Sequence, residues 1–150
     1  MCIWSGNQFL AQIFTWLLVI CGWYVVHFFT LKREQRKETR ERVNTLLNSL
    51  HDIEAKAMSF HQSKEFRGDL ARDLRTDIQR LFKCLKRPPF SMFKVASHLR
   101  KEFRKSITIR NFEPSNFSCQ AADSQILRDI VDAVDDIEEQ IEKEFERLYK

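Results

Sequence analysis

From Phe9 to Leu31 the chain runs for 23 residues without an Asp, Glu, Lys or Arg. A helix of that length reaches roughly 34 Å at about 1.5 Å per residue, enough for a hydrocarbon core of about 30 Å. Thirteen of the 23 residues are Leu, Ile, Val or Phe. At about −0.3 to −0.6 kcal/mol each they outweigh Gln12 and His27, which sit towards the ends, where polar groups cost less. The segment therefore reads as a transmembrane helix, with Phe9, Leu17, Leu18, Val19, Ile20 and Leu31 as its anchor residues. A cleaved signal peptide predicts a charged start, a shorter apolar stretch and an Ala-x-Ala-like exit, none of which is present. A buried core helix predicts a polar face, and this segment has none.

Charge orients the span. Six of the eleven residues from Lys32 to Arg42 are basic: Lys32, Arg33, Arg36, Lys37, Arg40 and Arg42. Residues 1–8 carry only the terminal amine. Basic flanks stay on the cytoplasmic side, so residues 1–8 form a short outer tail and everything after Leu31 lies inside, most simply at a bacterial inner membrane. Residues 32–42 then act as an inner-leaflet collar, each base adding up to about 1 kcal/mol near anionic lipid. Trp4 suits the outer interface. His27 reads as a side chain snorkelling at the inner one, in preference to a proton-sensitive or pore-lining group. Ala11, Thr15 and Gly22 form no Gly-xxx-Gly pair, so the helix carries little dimerisation signal.

Residues 43–150 show helical periodicity. Val43, Leu46, Leu50, Ile53, Ala57 and Phe60 are spaced 3, 4, 3, 4, 3 and form a heptad seam. A helix from Lys32 to about His61 follows, continuous with the span or separate from it. Phe66, Leu70, Leu74, Ile78, Leu81, Phe82 and Leu85 mark a second helix that Pro88 and Pro89 stop. A third is expected over Ser91–Lys105, with Phe93, Ala96, Leu99 and Phe103 inward. "SITIRNFEPSNFSCQAA" reads as a loop, with an alternation in "SITIRNF" that suits a short strand lacking a partner. The last helix starts near Asp123 or Ser124, with Leu127, Ile130, Val134, Ile137, Ile141, Phe145 and Leu148 as its stripe. No one-faced helix is stable alone. The expected fold is thus all-α: a transmembrane helix followed by a cytoplasmic antiparallel bundle of about four helices.

Residues 32–110 hold 21 Lys/Arg against 10 Asp/Glu, whereas residues 123–150 hold 4 against 10. Packing would join the halves if Asp129, Asp132, Asp135, Asp136, Glu138, Glu139 and Glu142 opposed Arg72, Arg75, Arg80, Arg100, Lys101 and Arg104. The proline turn offers a further contact, in which Phe90 and Phe93 enter the lipid interface while Lys86, Arg87 and Lys94 meet headgroups. An ordinary basic bundle face accounts for the same residues equally well.

No catalytic set emerges. His27, His51, His61 and His98 lack metal-ligand spacing, the glycines are isolated, and Cys2, Cys21, Cys84 and Cys119 read as reduced thiols. Asp135 and Glu139 suit a solvated acidic face better than a metal site. Basic charge alone attracts nucleic acid, yet no recognised motif accompanies it. The chain reads as a non-enzymatic, membrane-anchored interaction protein without cofactor or small-molecule substrate. Its expected partners are lipid and either a protein or a second copy. The alternative is a membrane-perturbing effector, a toxin or phage-defence protein, whose bundle controls assembly of the transmembrane helices. Rapid loss of membrane potential on induced expression separates the two.

Overall fold

The 3.6-residue periodicity of the chain appears as four helices in a computed structural model that describes residues 6–150, with side chains from Ala11 onward. Trp4 and the Phe9 side chain lie outside the described residues, as does most of the expected tail at 1–8. The helices are α1 (Gly6–His61), α2 (Gly68–Cys84), α3 (Ser97–Thr108) and α4 (Gln125–Tyr149). A single 3-10 turn, Phe90–Met92, separates α2 from α3. No strand occurs among the described residues, so the alternation in "SITIRNF" does not produce one. Ser106, Ile107 and Thr108 instead complete α3, and Ile107 is fully buried.

The apolar segment and the heptad seam belong to one helix, α1. The chain nevertheless divides into two units, one up to Thr39 and the other Arg40–Lys150. In the second unit the seam residues Val43, Leu46, Leu50, Ile53, Ala57 and Phe60 are all buried. They share one core with Leu74 and Ile78 of α2, Phe103 of α3, and Leu127, Ile130, Val134, Ile137, Ile141 and Phe145 of α4. Leu70, Phe82, Leu99 and Leu148 pack at its edge, half-buried. Each helix contributes its one apolar stripe, which is why the four fold together rather than singly.

The helix ends follow local chemistry. Past His61, Ser63 Oγ lies 2.7 Å from the Phe60 carbonyl and the Gln120 amide donates to the His61 carbonyl at 2.8 Å. Carbonyls left open by the last turn of α1 are thus satisfied. Pro88 and Pro89 lack the amide hydrogens that would continue α2. The third helix starts at Ser97, six residues later than the sequence pattern suggests. Phe93 has an extended backbone, Ala96 a non-helical one, and the Lys94 amide donates to the Glu144 carboxylate of α4 at 3.0 Å. A side chain has captured the amide that a helix would have used.

Candidate functional site

Every exposed large hydrophobic residue described, apart from Met92 and Ile109, lies between Ile13 and Leu31. Leu17, Leu18, Val19, Ile20 and Leu31 are all among them. The helix is long and apolar enough to cross a membrane: its 18-residue window has a mean hydropathy of 1.8, with none of it buried within the protein. Its hydroxyls are internally satisfied, Thr15 donating to the Ala11 carbonyl at 2.9 Å and Thr30 to that of Val26 at 2.8 Å. Backbone carbonyls one turn back are the partners available where water is absent. His27 stacks flat on Trp23, with centroids 5.2 Å apart.

The collar residues have different surroundings. Lys32 Nζ sits 4.6 Å above the Phe28 ring, Lys37 pairs with Glu34 at 3.3 Å, and Arg33 and Arg36 are exposed. Arg40 belongs to the second unit, where its guanidinium pairs with Glu142 and lies 5.1 Å over the Phe145 ring of α4. Arg40 thus has a structural engagement that a purely headgroup-facing base lacks.

At the proline turn the structure corrects the expected lipid contact. Phe90 and Phe93 are only 4% and 7% exposed and meet edge to face with centroids 5.5 Å apart. Both belong to the core, because Glu144 and Arg147 hold this segment on α4. Glu144 accepts from Lys94 N–H, and Arg147 Nη2 donates both to Glu144 at 2.8 Å and to the Met92 carbonyl at 3.3 Å. Arg147, aided by the Lys94 amide, holds the Glu144 carboxyl below its usual range. Met92 of this turn is exposed. Lys86, Arg87 and Lys94 remain exposed.

A groove of about 610 Å³ lies between α1 and α2 within the second unit. Leu46, Ile53, Leu81 and Phe90 form its apolar lining, and Arg42, Lys56, Arg80, Arg87, Asp52 and Asp77 its charged walls. Lys56 Nζ approaches Asp77 to 2.6 Å and Arg80 lies 3.6 Å from the same carboxylate. Its hydrogen bond to Asp77 raises Lys56 above the ordinary lysine range. Asp77 is thus shared by two of the four bases in these walls.

A second polar cluster, which sequence reading missed, is buried at the end of α1. His61 has no exposed surface; its Nε2 donates to the Ile107 carbonyl at 3.2 Å, and its Nδ1 accepts from Asn111 Nδ2 at 3.3 Å. Asn111 has φ of 56°, a left-handed conformation that Asn tolerates better than most residues. Its amide nitrogen also donates to the Ser118 carbonyl at 2.8 Å, and its oxygen accepts from the Ser118 amide. Phe60, Phe112 and Phe117 close over the cluster. The signal available in the sequence was a loop that carries two phenylalanines, Phe112 and Phe117, close behind Asn111.

Burial pushes the His61 imidazole below its ordinary value of 6.5, the Ile107 carbonyl opposing it only in part. Below pH 6.5 the unfolded chain therefore binds a proton that the folded chain resists, and stability falls with pH down to the lowered folded value. Glu144 adds a separate loss, because its stabilisation is complete above 4.5 and disappears as pH drops through its depressed value. Each group contributes at most about 1.4 kcal/mol per pH unit within its window. Denaturant midpoints should fall between pH 7.5 and 5.5, and His61→Gln should flatten that fall while keeping the step below pH 4.5. An unchanged upper step in His61→Gln means that another group carries it.

The expected charge pairing is also corrected. Glu142 meets Arg40, Glu138 meets His51 Nε2 at 3.0 Å, and Asp129 meets Arg110 at 3.1 Å. Arg72, Arg75, Arg80, Arg100, Lys101 and Arg104 make no ion pair with α4 among the described residues. Glu142 and Glu138 thus meet α1, while Asp129, Asp132 and Asp136 line a depression with Glu102, Lys105 and Ser106 of α3 and with Arg110 just after it. Among the described residues no group of three or more His, Cys, Asp or Glu side chains is placed to hold a metal ion. Compared with protein-family models, curated proteins and solved structures, the chain matches none.

Proposed function

We propose that this chain is a non-enzymatic, single-pass membrane protein whose cytoplasmic helical bundle binds a protein partner or a second copy of itself. The observation that carries the reading is the wholly exposed apolar stretch of α1, with a mean hydropathy of 1.8 and no part buried in protein. Leaving that area in water is costly at about 25 cal/mol per Å². The basic residues after Leu31 support a cytoplasmic position for the bundle. An antiparallel course of α1 and α4 draws support from pair order, since Arg40 meets Glu142 while the later His51 meets the earlier Glu138. The groove between α1 and α2 supplies an apolar surface with polar walls for a partner.

Native thiols test the topology. Cys84 and Cys119 are exposed in the helical unit. In a Cys2→Ser variant expressed in bacteria, a membrane-impermeant maleimide should label these thiols only after the cells are permeabilised. Labelling in intact cells overturns the orientation, and recovery of the intact chain as a soluble monomer overturns the anchor.

A further inference from the structure

Arg75, Arg100, Lys101 and Arg104 were expected to face acidic residues, yet none forms an ion pair among the described residues. Two of them meet at one cleft. Arg75, Ile78, Gln79 and Phe82 follow one stripe of α2, Arg104 and Thr108 one stripe of α3, and together they line a depression of about 300 Å³. No carboxylate lines it, in contrast to the groove between α1 and α2. We propose that this cleft binds a phosphomonoester group.

The lining specifies the ligand. The Arg75 guanidinium lies 5.0 Å over the Phe112 ring, which restrains it at the border between this cleft and a neighbouring depression lined by Phe112 and Glu113. Thr108 Oγ1 already donates to the Arg104 carbonyl at 2.7 Å, so the donors left for a ligand are two guanidiniums and the Gln79 amide. Guanidinium forks match phosphate and carboxylate oxygens in pairs. A phosphomonoester carries about −1.5 to −2 charge near pH 7, matching two arginines, whereas a carboxylate or phosphodiester carries half of that. Ile78 and Phe82, the latter edge-on to Phe103 at 6.1 Å, offer apolar contact to the ester carbons. The volume sits at the small end of ligand pockets, which suits a phosphorylated headgroup or small metabolite rather than a nucleic-acid strand.

The site stands apart from the membrane reading, since none of its residues belongs to the apolar segment. The test uses the full chain in uncharged detergent, titrated with inorganic phosphate and with glycerol 3-phosphate at constant ionic strength. Saturable binding should strengthen from pH 5.5 to 7.5 as the dianion forms. Arg104→Gln and Gln79→Ala should each weaken it by about tenfold or more, while Lys143→Gln on α4 leaves it unchanged. A second arm uses nanodiscs of phosphatidylcholine with and without phosphatidic acid. Binding of the soluble phosphates assigns a metabolite, and binding confined to phosphatidic acid assigns a lipid headgroup. Both outcomes support the site provided that Arg104→Gln removes them. Equal binding of chloride or sulfate, equal loss in Lys143→Gln, or no saturable binding in either arm overturns it.

Discussion

Replacing Leu18 and Ile20 together by Asp should release the chain from the membrane. The positions lie near the middle of the apolar stretch and about 200° apart around the helix, so the two carboxylates cannot share one neighbour. Each substitution costs about 2.5–3.5 kcal/mol and also forfeits about 0.3–0.6 from the lost aliphatic side chain, or about 6–8 kcal/mol for the pair. The thirteen Leu, Ile, Val and Phe residues of the segment supply only about 4–8 kcal/mol. The change is therefore large enough to cancel insertion. Carbonate extraction followed by gradient flotation reads the outcome and separates membrane-bound chains from aggregates. A double variant that still floats with the membranes means that α1 is not held by its apolar segment.

The second large effect belongs to the core. Phe60→Ala should destabilise the helical unit by about 3–5 kcal/mol, because a fully buried ring is removed where close neighbours prevent collapse. Phe60 has no exposed surface and its ring meets those of His61, Phe66, Phe112 and Phe117, with centroids 5.0, 5.8, 5.0 and 5.3 Å away. Against a typical domain stability of about 5–15 kcal/mol, such a loss removes a large fraction. Urea unfolding followed by circular dichroism measures it, with Met92→Ala as the control. Met92 is 55% exposed and its truncation should shift stability by no more than about 0.5 kcal/mol. A loss below about 1 kcal/mol for Phe60→Ala places the aromatic cluster outside the cooperative core.

The sequence yields the buried faces of α1 and α4 with little error. Val43 to Phe60 and Leu127 to Phe145 repeat at helical spacing through long polar stretches, so one rotation of each helix buries all of them. α2 shows the same stripe with softer edges, Leu70 and Phe82 being only half-buried, while Phe66 falls just before the helix. Periodicity fails where a distant group takes over a local bond. The Lys94 amide is captured by Glu144, fifty residues away, and α3 begins late as a result. His61 and Asn111 are equally far apart in sequence, and no local pattern links them. Phe90 and Phe93 look like interfacial residues beside Lys86 and Arg87, yet their rings enter the core.

The uncharged segment from Phe9 to Leu31, the basic run behind it and the apolar stripes are determined by the chain alone. Each follows from side-chain solubility and a fixed residue spacing. Which partner each polar group finds is decided only in three dimensions. Amphipathic spacing specifies the face that a helix buries but not the helix against which it is buried. The rotation and stagger of α2, α3 and α4 therefore settle that Glu142 takes Arg40 and that the aromatic rings enclose His61. The same packing leaves Arg75 and Arg104 together in a cleft without a carboxylate, while Glu142 and Glu138 of α4 are taken by Arg40 and His51 of α1.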